Sequence, residues 1–132
     1  LYDVVGDGKV RPNQLFALSL TYPVVDPNTA LAENIITVVE KKLLNNYGLK
    51  TLAKGEKNYI DVYEGDNFKR DASYHQGITW PWLLGLYYNA LKNIKNSEKN
   101  KEKKKELETK ISAFKKKVEK VFKFPEIRQN KN

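Results

Sequence analysis

Residues 73–85 read SYHQGITWPWLLG and hold the only histidine of the chain and both of its tryptophans. A phenol, an imidazole and a carboxamide stand side by side at Tyr74, His75 and Gln76, just ahead of the aromatic pair Trp80 and Trp82. His75 and Gln76 each offer a donor and an acceptor, the combination that suits a polyol. The bland reading of the same residues is a loop held together by its own hydrogen bonds, since buried polar groups need partners in any case. Arg11 is a second candidate: its guanidinium fork fits either the carbonyls of a loop or a substrate, with Asn13 and Gln14 beside it as weaker candidates. Glu64, Asp66 and Asp71 are carboxylates of the kind used in acid–base work, but next to Lys69 and Arg70 a structural ion pair is the simpler account.

These residues must be held by elements, and composition bounds what those can be. At 132 residues the chain supports one domain with a real core. No apolar run approaches the roughly 20 residues that span a bilayer, and no basic-then-apolar leader is visible, so a soluble, cytoplasmic protein without membrane partners is expected. With one histidine and no cysteine, disulfides are excluded and a zinc site is disfavoured; no cofactor or metal is expected. The chain contains no methionine and begins Leu1-Tyr2, from which a processed product or a piece of something longer is expected. The net charge of +8 is local. Residues 1–92 hold 10 basic and 10 acidic side chains, and residues 93–132 hold 14 and 6. Most of the surplus is lysine on the wet face of an amphipathic pattern whose aromatics all lie on the apolar stripe, so a solvated face is expected and nucleic acid is not.

Arg11-Pro12-Asn13 should open a first helix, with proline where its missing N–H costs nothing. Leu15, Phe16, Leu18 and Leu20 follow at mixed spacing, which implies burial on more than one side. Asp26-Pro27 reads as the cap of a second helix with the stripe Leu31, Ile35, Val38, Val39 and Leu43, closed by Gly48 in a left-handed conformation. From Leu49 to about Thr79 there is no sustained period, and no strand pattern longer than Asn58–Tyr63. The aromatics Tyr59, Tyr63, Phe68 and Tyr74 argue that this long connection is ordered and functional. Trp80-Pro81 should begin a third helix through Leu83, Leu86, Tyr87, Leu91 and Ile94. There the two indoles would lie about 200° apart, one facing a ligand and one packed inside. After a lysine-rich stretch, Leu107, Ile111, Phe114, Val118, Val121 and Phe122 mark a fourth, amphipathic helix stopped by Pro125 and buried on the third. The chain therefore reads as all-α, about four helices with one long ordered loop.

YGLKTL (47–52), YEGDNFKRDASYHQGITWPWLLG (63–85) and RPNQLFALS (11–19) together resemble the C-terminal part of bacterial and archaeal glycogen debranching enzymes. This is the amylo-α-1,6-glucosidase catalytic domain of the glucoamylase-like glycoside hydrolases. The resemblance covers roughly residues 1–92 and is most specific from Arg70 to Trp82. It implies one fragment of an (α/α) toroid of six hairpins, spanning residues 1–132, with a lysine-rich helical hairpin at about 95–124 whose segment 95–117 has no counterpart in the family. It also implies an α-glucan or oligosaccharide substrate, the remainder of the toroid as partner, and sugar contacts from Tyr74, His75, Gln76, Trp80, Arg11 and Asn13, with Trp80 as the indole on the sugar.

The family's reaction cleaves an α-1,6-linked branch glucose with inversion. In the family the general base lies in a Ser-Glu-Ile-type segment. Glu126, in Pro-Glu-Ile, matches it only superficially, because Arg128-Gln129-Asn130 do not continue the motif. The base is therefore expected beyond Asn132 and the acid on an earlier hairpin, leaving a fragment inactive alone. Readings of other classes are a non-catalytic α-glucan-binding module, and a basic helical interaction domain working through residues 95–123.

Overall fold

Pro12 starts the first helical stretch. Its ring presets φ and its missing N–H falls where a helix has no use for one, so a 3₁₀ turn, Pro12–Leu15, follows the extended Arg11 and runs into α1, Phe16–Ser19. The computed structural model describes residues 1–122. It continues through α2 (Ala30–Lys42), β1 (Leu49–Lys50), α3 (Asn67–Ser73), β2 (Thr79–Trp80), α4 (Leu83–Ser97) and α5 (Lys101–Val121). The chain is mostly helical, and β1 and β2 form one antiparallel pair with Leu49 opposite Trp80 and Lys50 opposite Thr79. No described helix is long and apolar enough to cross a membrane.

The core lies where α1, α2 and α4 meet. Leu15, Leu18, Val39, Leu43 and Leu91 are fully enclosed there, and Leu49 of β1 joins them. Asn93 of α4 caps the end of α1: its amide donates to the Leu18 carbonyl at 2.7 Å and the Leu20 carbonyl at 2.9 Å. Those carbonyls have no partner within so short a helix. Phe16 and Leu20 are exposed, because a single turn buries one face only. In α2 the cap is Thr29, whose Oγ1 accepts the Ala32 N–H at 3.3 Å. Asp26 instead closes the preceding turn, accepting from the Asn28 N–H at 2.9 Å. With the helix starting later than Asp26-Pro27 suggested, the enclosed stripe is Ala32, Ile35, Ile36, Val39 and Leu43, and Leu31 faces water.

Four further expectations change. The long connection contains a helix, α3, whose N-cap Asp66 accepts the Lys69 N–H at 2.9 Å. Asn58–Tyr63 forms no strand and pairs only at a bridge from Ile60 to Gly77. Gly48 is not in the left-handed region; it is glycine because a Cβ there would meet the Trp80 carbonyl oxygen at 2.5 Å. Trp80 is extended in β2 and Trp82 is the residue before α4, so neither indole sits on a helix. Pro81 accounts for part of this, since a residue before proline is driven toward extended backbone.

α5 begins at Asn100, whose side chain accepts the Lys103 N–H at 3.0 Å. Its stripe is half-buried: Leu107, Ile111 and Phe114 pack against the core, no α5 residue is fully enclosed, and Val121 faces water. Pro125, the expected stop, lies outside the described residues. The aromatic contact of α5 with α4 places Phe114 edge-on to Tyr87 at 5.0 Å. Polar anchors complete the attachment. Tyr87 donates its hydroxyl to Glu40 Oε1 at 2.5 Å, and Lys110 pairs with the same oxygen at 2.6 Å. Burial, with the Glu40 carboxylate beside it, holds the Tyr87 phenol well above the usual tyrosine range.

Because Phe114 is half-buried, Phe114→Ala should cost roughly 2 kcal/mol, below the about 3–5 kcal/mol of an enclosed phenylalanine. Chemical denaturation of the two chains measures this. A silent substitution would mean that α5 is an appendage rather than part of the fold.

Candidate functional site

The site is assembled around Arg11. Extended backbone at Arg11, imposed ahead of Pro12, aims its side chain across the molecule. Nη1 donates to the Thr51 carbonyl at 3.2 Å and the His75 carbonyl at 2.6 Å, and Nη2 to Gln76 Oε1 at 3.3 Å. One planar cation thus ties the N-terminal segment, the residue after β1 and the loop before β2. Thr51 holds the same loop again, its Oγ1 accepting the buried Gly77 N–H at 2.9 Å.

The aromatics stack outward from this anchor. Trp80 is half-buried against the core and donates its indole N–H to the Tyr74 carbonyl at 3.2 Å. The Tyr74 ring meets Trp80 at 4.8 Å and His75 at 4.9 Å, both edge-on, and Tyr63 lies 6.1 Å away. Trp82 stands apart and is 60% exposed, so the indole expected to pack inside is in water, and it is Trp80 that packs on the core.

A cleft of about 570 Å³ opens beside this cluster, lined in part by Arg11, Asn13, Tyr74, His75, Trp80 and Trp82. Gln76 is not among its lining residues, its amide oxygen being engaged by Arg11. The far wall comes from the N-terminal segment, with Asp3, Val4, Asp7 and Lys9. Asn13 donates to Asp3 Oδ2 at 2.6 Å. Asp7 accepts from the Lys9 N–H at 3.1 Å and the Lys9 ammonium at 2.9 Å, and these bonds hold its carboxyl below the usual range. A carboxyl kept ionised in this way suits charge complementarity rather than proton donation. The mixture of indole, imidazole, guanidinium, amide and carboxylate surfaces fits a neutral, hydroxyl-rich ligand with apolar ring faces.

Glu64, Asp66 and Asp71 do not line the cleft, nor do they form the expected ion pair among the described residues. Asp66 is spent as the cap of α3, and Arg70 donates to Asn67 Oδ1 at 2.5 Å instead. Glu126 lies outside the described residues. Among the described residues no group of three or more histidine and acidic side chains gathers as a metal site. Thr51, Asp3, Asp7 and Trp82 were not singled out as site residues by sequence reasoning. Asp7 had a local signal, a glycine-flanked acid two residues before Lys9; Thr51 had none, since its role depends on a distant loop.

A family model described as amylo-alpha-1,6-glucosidase matches residues 2–132. The chain is also similar to the glycogen debranching enzyme of Saccharomyces cerevisiae (strain ATCC 204508 / S288c), 30% identical over 90 residues, which are 64% of this chain and 6% of that enzyme. The chain thus spans a small part of the length of that relative. No solved structure matches.

Arg11→Lys tests the anchor. An ammonium cannot reach three acceptors in one plane, and the loss of charge-assisted bonds at a half-exposed site should cost about 2 kcal/mol. The Trp80 indole N–H resonance should shift with it. Wild-type stability and an unchanged resonance would show that the loops hold themselves.

Proposed function

Since the chain belongs to the amylo-alpha-1,6-glucosidase family, we propose that it supplies part of the glucan-binding wall of a debranching glycoside hydrolase, taking α-1,6-linked branch glucose of glycogen or dextrins. The observation that carries this reading is the convergence of both tryptophans, His75, Tyr74, Arg11 and Asn13 on one cleft. An indole face packs on the apolar face of a pyranose, by analogy with base stacking worth about 1–3 kcal/mol. Imidazole and carboxamide groups hydrogen-bond its hydroxyls. Gln76 serves the sugar indirectly, by orienting Arg11.

In this reading the bond is broken with inversion. A carboxylic acid protonates the leaving oxygen while a carboxylate, roughly 6.5–9.5 Å away, activates water. Neither aspartate of the cleft is assigned either part: Lys9 engages both oxygens of Asp7 and keeps it too weak a base to draw a proton from water, and Asp3 is engaged by Asn13. The acid and base are assigned to the rest of an (α/α) toroid, against which this chain packs, and the chain alone is inactive. Its own work is to bind and orient, which lowers the barrier by holding the branch glucose in reach of those carboxyls.

The two tryptophans separate binding from stability. Trp82 is 60% exposed, so Trp82→Ala should weaken the affinity for a branched oligosaccharide about tenfold, at about 1.4 kcal/mol per decade. Its melting temperature should be that of wild type. Trp80→Ala should lower both, because Trp80 also packs on the core and holds Tyr74. Calorimetric titration and thermal melts measure the pair. Unchanged affinity in Trp82→Ala and in any folded Trp80→Ala chain would remove the sugar from this cleft.

A further inference from the structure

The loop carrying His75 and Gln76 is gripped on two sides. On one, Thr51 takes the Gly77 N–H, and its own N–H donates to the Ile78 carbonyl at 3.0 Å. On the other, the Ile60 N–H donates to the Gln76 carbonyl at 2.7 Å, and the Tyr59 ring lies so close to Gly77 that a Cβ there would meet it at 2.7 Å. Gly77 has φ +146°, so glycine is needed for conformation as well as for space. The first side is anchored by strand pairing. The second has no regular element beneath it, and it follows Asn58, the one non-glycine described residue in the left-handed region.

Besides the Tyr59 N–H, which donates to the Glu56 carbonyl at 3.1 Å, what holds residues 59–61 down is a polar triad outside the cleft. The Lys50 ammonium donates to the Tyr59 hydroxyl and lies 5.0 Å from the centre of its ring. That hydroxyl donates onward to Asp61 Oδ2 at 2.9 Å, and Lys50 and Asp61 pair at 3.6 Å. The phenol oxygen therefore both accepts and donates, which fixes its position along the loop. A pair this exposed contributes little to global stability, so its effect is local and geometric. The Ile60 N–H bond to the Gln76 carbonyl in turn lies next to the side chain that meets Arg11, so the position of the 59–61 segment bears on that contact.

We propose that Lys50, Tyr59 and Asp61 are positioning residues for the glucan cleft: through Ile60 and Gly77 they set the orientation of His75 and Gln76 without touching the sugar. This rests on the glucan reading of the cleft.

Tyr59→Phe keeps the ring over Gly77 and deletes only the hydroxyl. Amide hydrogen exchange of the ligand-free chain should quicken about fivefold at Ile60, the worth of one lost hydrogen bond, while α2 and α4 exchange as in wild type. The dissociation constant for a branched oligosaccharide, by calorimetry, should rise about threefold or more. Asp61→Asn, which keeps an acceptor oxygen, should stay closer to wild type at the Ile60 amide than Asp61→Ala. Unchanged exchange at Ile60 overturns the proposal, as does equal quickening in α2 and α4, or quickened exchange with unaltered affinity. If the wild-type chain takes up no oligosaccharide, the glucan reading fails by itself and the exchange comparison still decides whether the triad holds the loop.

Discussion

The guanidinium of Arg11 is the constraint on which the rest of the site depends. It bonds residues 40, 64 and 65 positions away in sequence, and it does so across segments that have almost no regular structure of their own. Ordering such loops costs about 1–2 kcal/mol of backbone entropy per residue. One charge-assisted hydrogen bond returns about 1.5–3 kcal/mol. Arg11 therefore cannot organise the loops alone. It acts as a cross-link on segments already brought near by the β1–β2 pair, by the close approach of Gly48 to Trp80, and by the cluster of Tyr63, Tyr74, His75 and Trp80.

The molecule divides its labour accordingly. α1, α2 and α4 bury aliphatic side chains and give β1 a fixed floor through Leu43 and Leu49. The cleft is then built at the edge of that core, where backbone polar groups are free to be satisfied by side chains such as Thr51 and Arg11. α5 contributes to neither in full measure. It is fastened by a half-buried stripe, by two ion pairs to α2, Lys103–Glu33 and Lys110–Glu40, and by Lys115 over the Tyr88 ring of α4 at 5.3 Å, with most of its other lysines exposed.

Legibility in the sequence followed the range of the interactions. Helical spacing located α2, α4 and α5 because each runs long enough for its apolar stripe to repeat, although the α2 stripe was displaced when Thr29 rather than Asp26 proved to be the cap. The family resemblance was legible from the run between Arg70 and Trp82, and the family match bears out the family but not its extent, since it runs over residues 2–132, past residue 92 and across the segment 95–117 expected to fall outside it. α3 was missed because seven residues around a single capping aspartate leave no period to detect. The extended backbone of Trp80 had a local cause in Pro81, but the strand that fixes it comes from residues 49–50, which no local pattern pairs with it. The ion pair expected around Arg70 failed for a similar reason, since capping consumed Asp66 first. Tyr74, His75 and Trp80 were singled out by chemistry, and their contacts with one another follow from closeness in sequence. Their meeting with Asp3, Asp7 and Asn13 at one cleft needed the fold.

Both tryptophans of the chain line that cleft, so indole emission reports on it, with Trp80 also sensing the core it packs against. The most direct measurement is the tryptophan emission of the chain during titration with an α-1,6-branched malto-oligosaccharide, with a β-linked glucan as control and binding followed independently by calorimetry. The account predicts a saturable change in emission that tracks the calorimetric isotherm and is absent with the β-linked sugar. Calorimetric binding with unchanged emission, or no binding of the branched sugar at all, would contradict it.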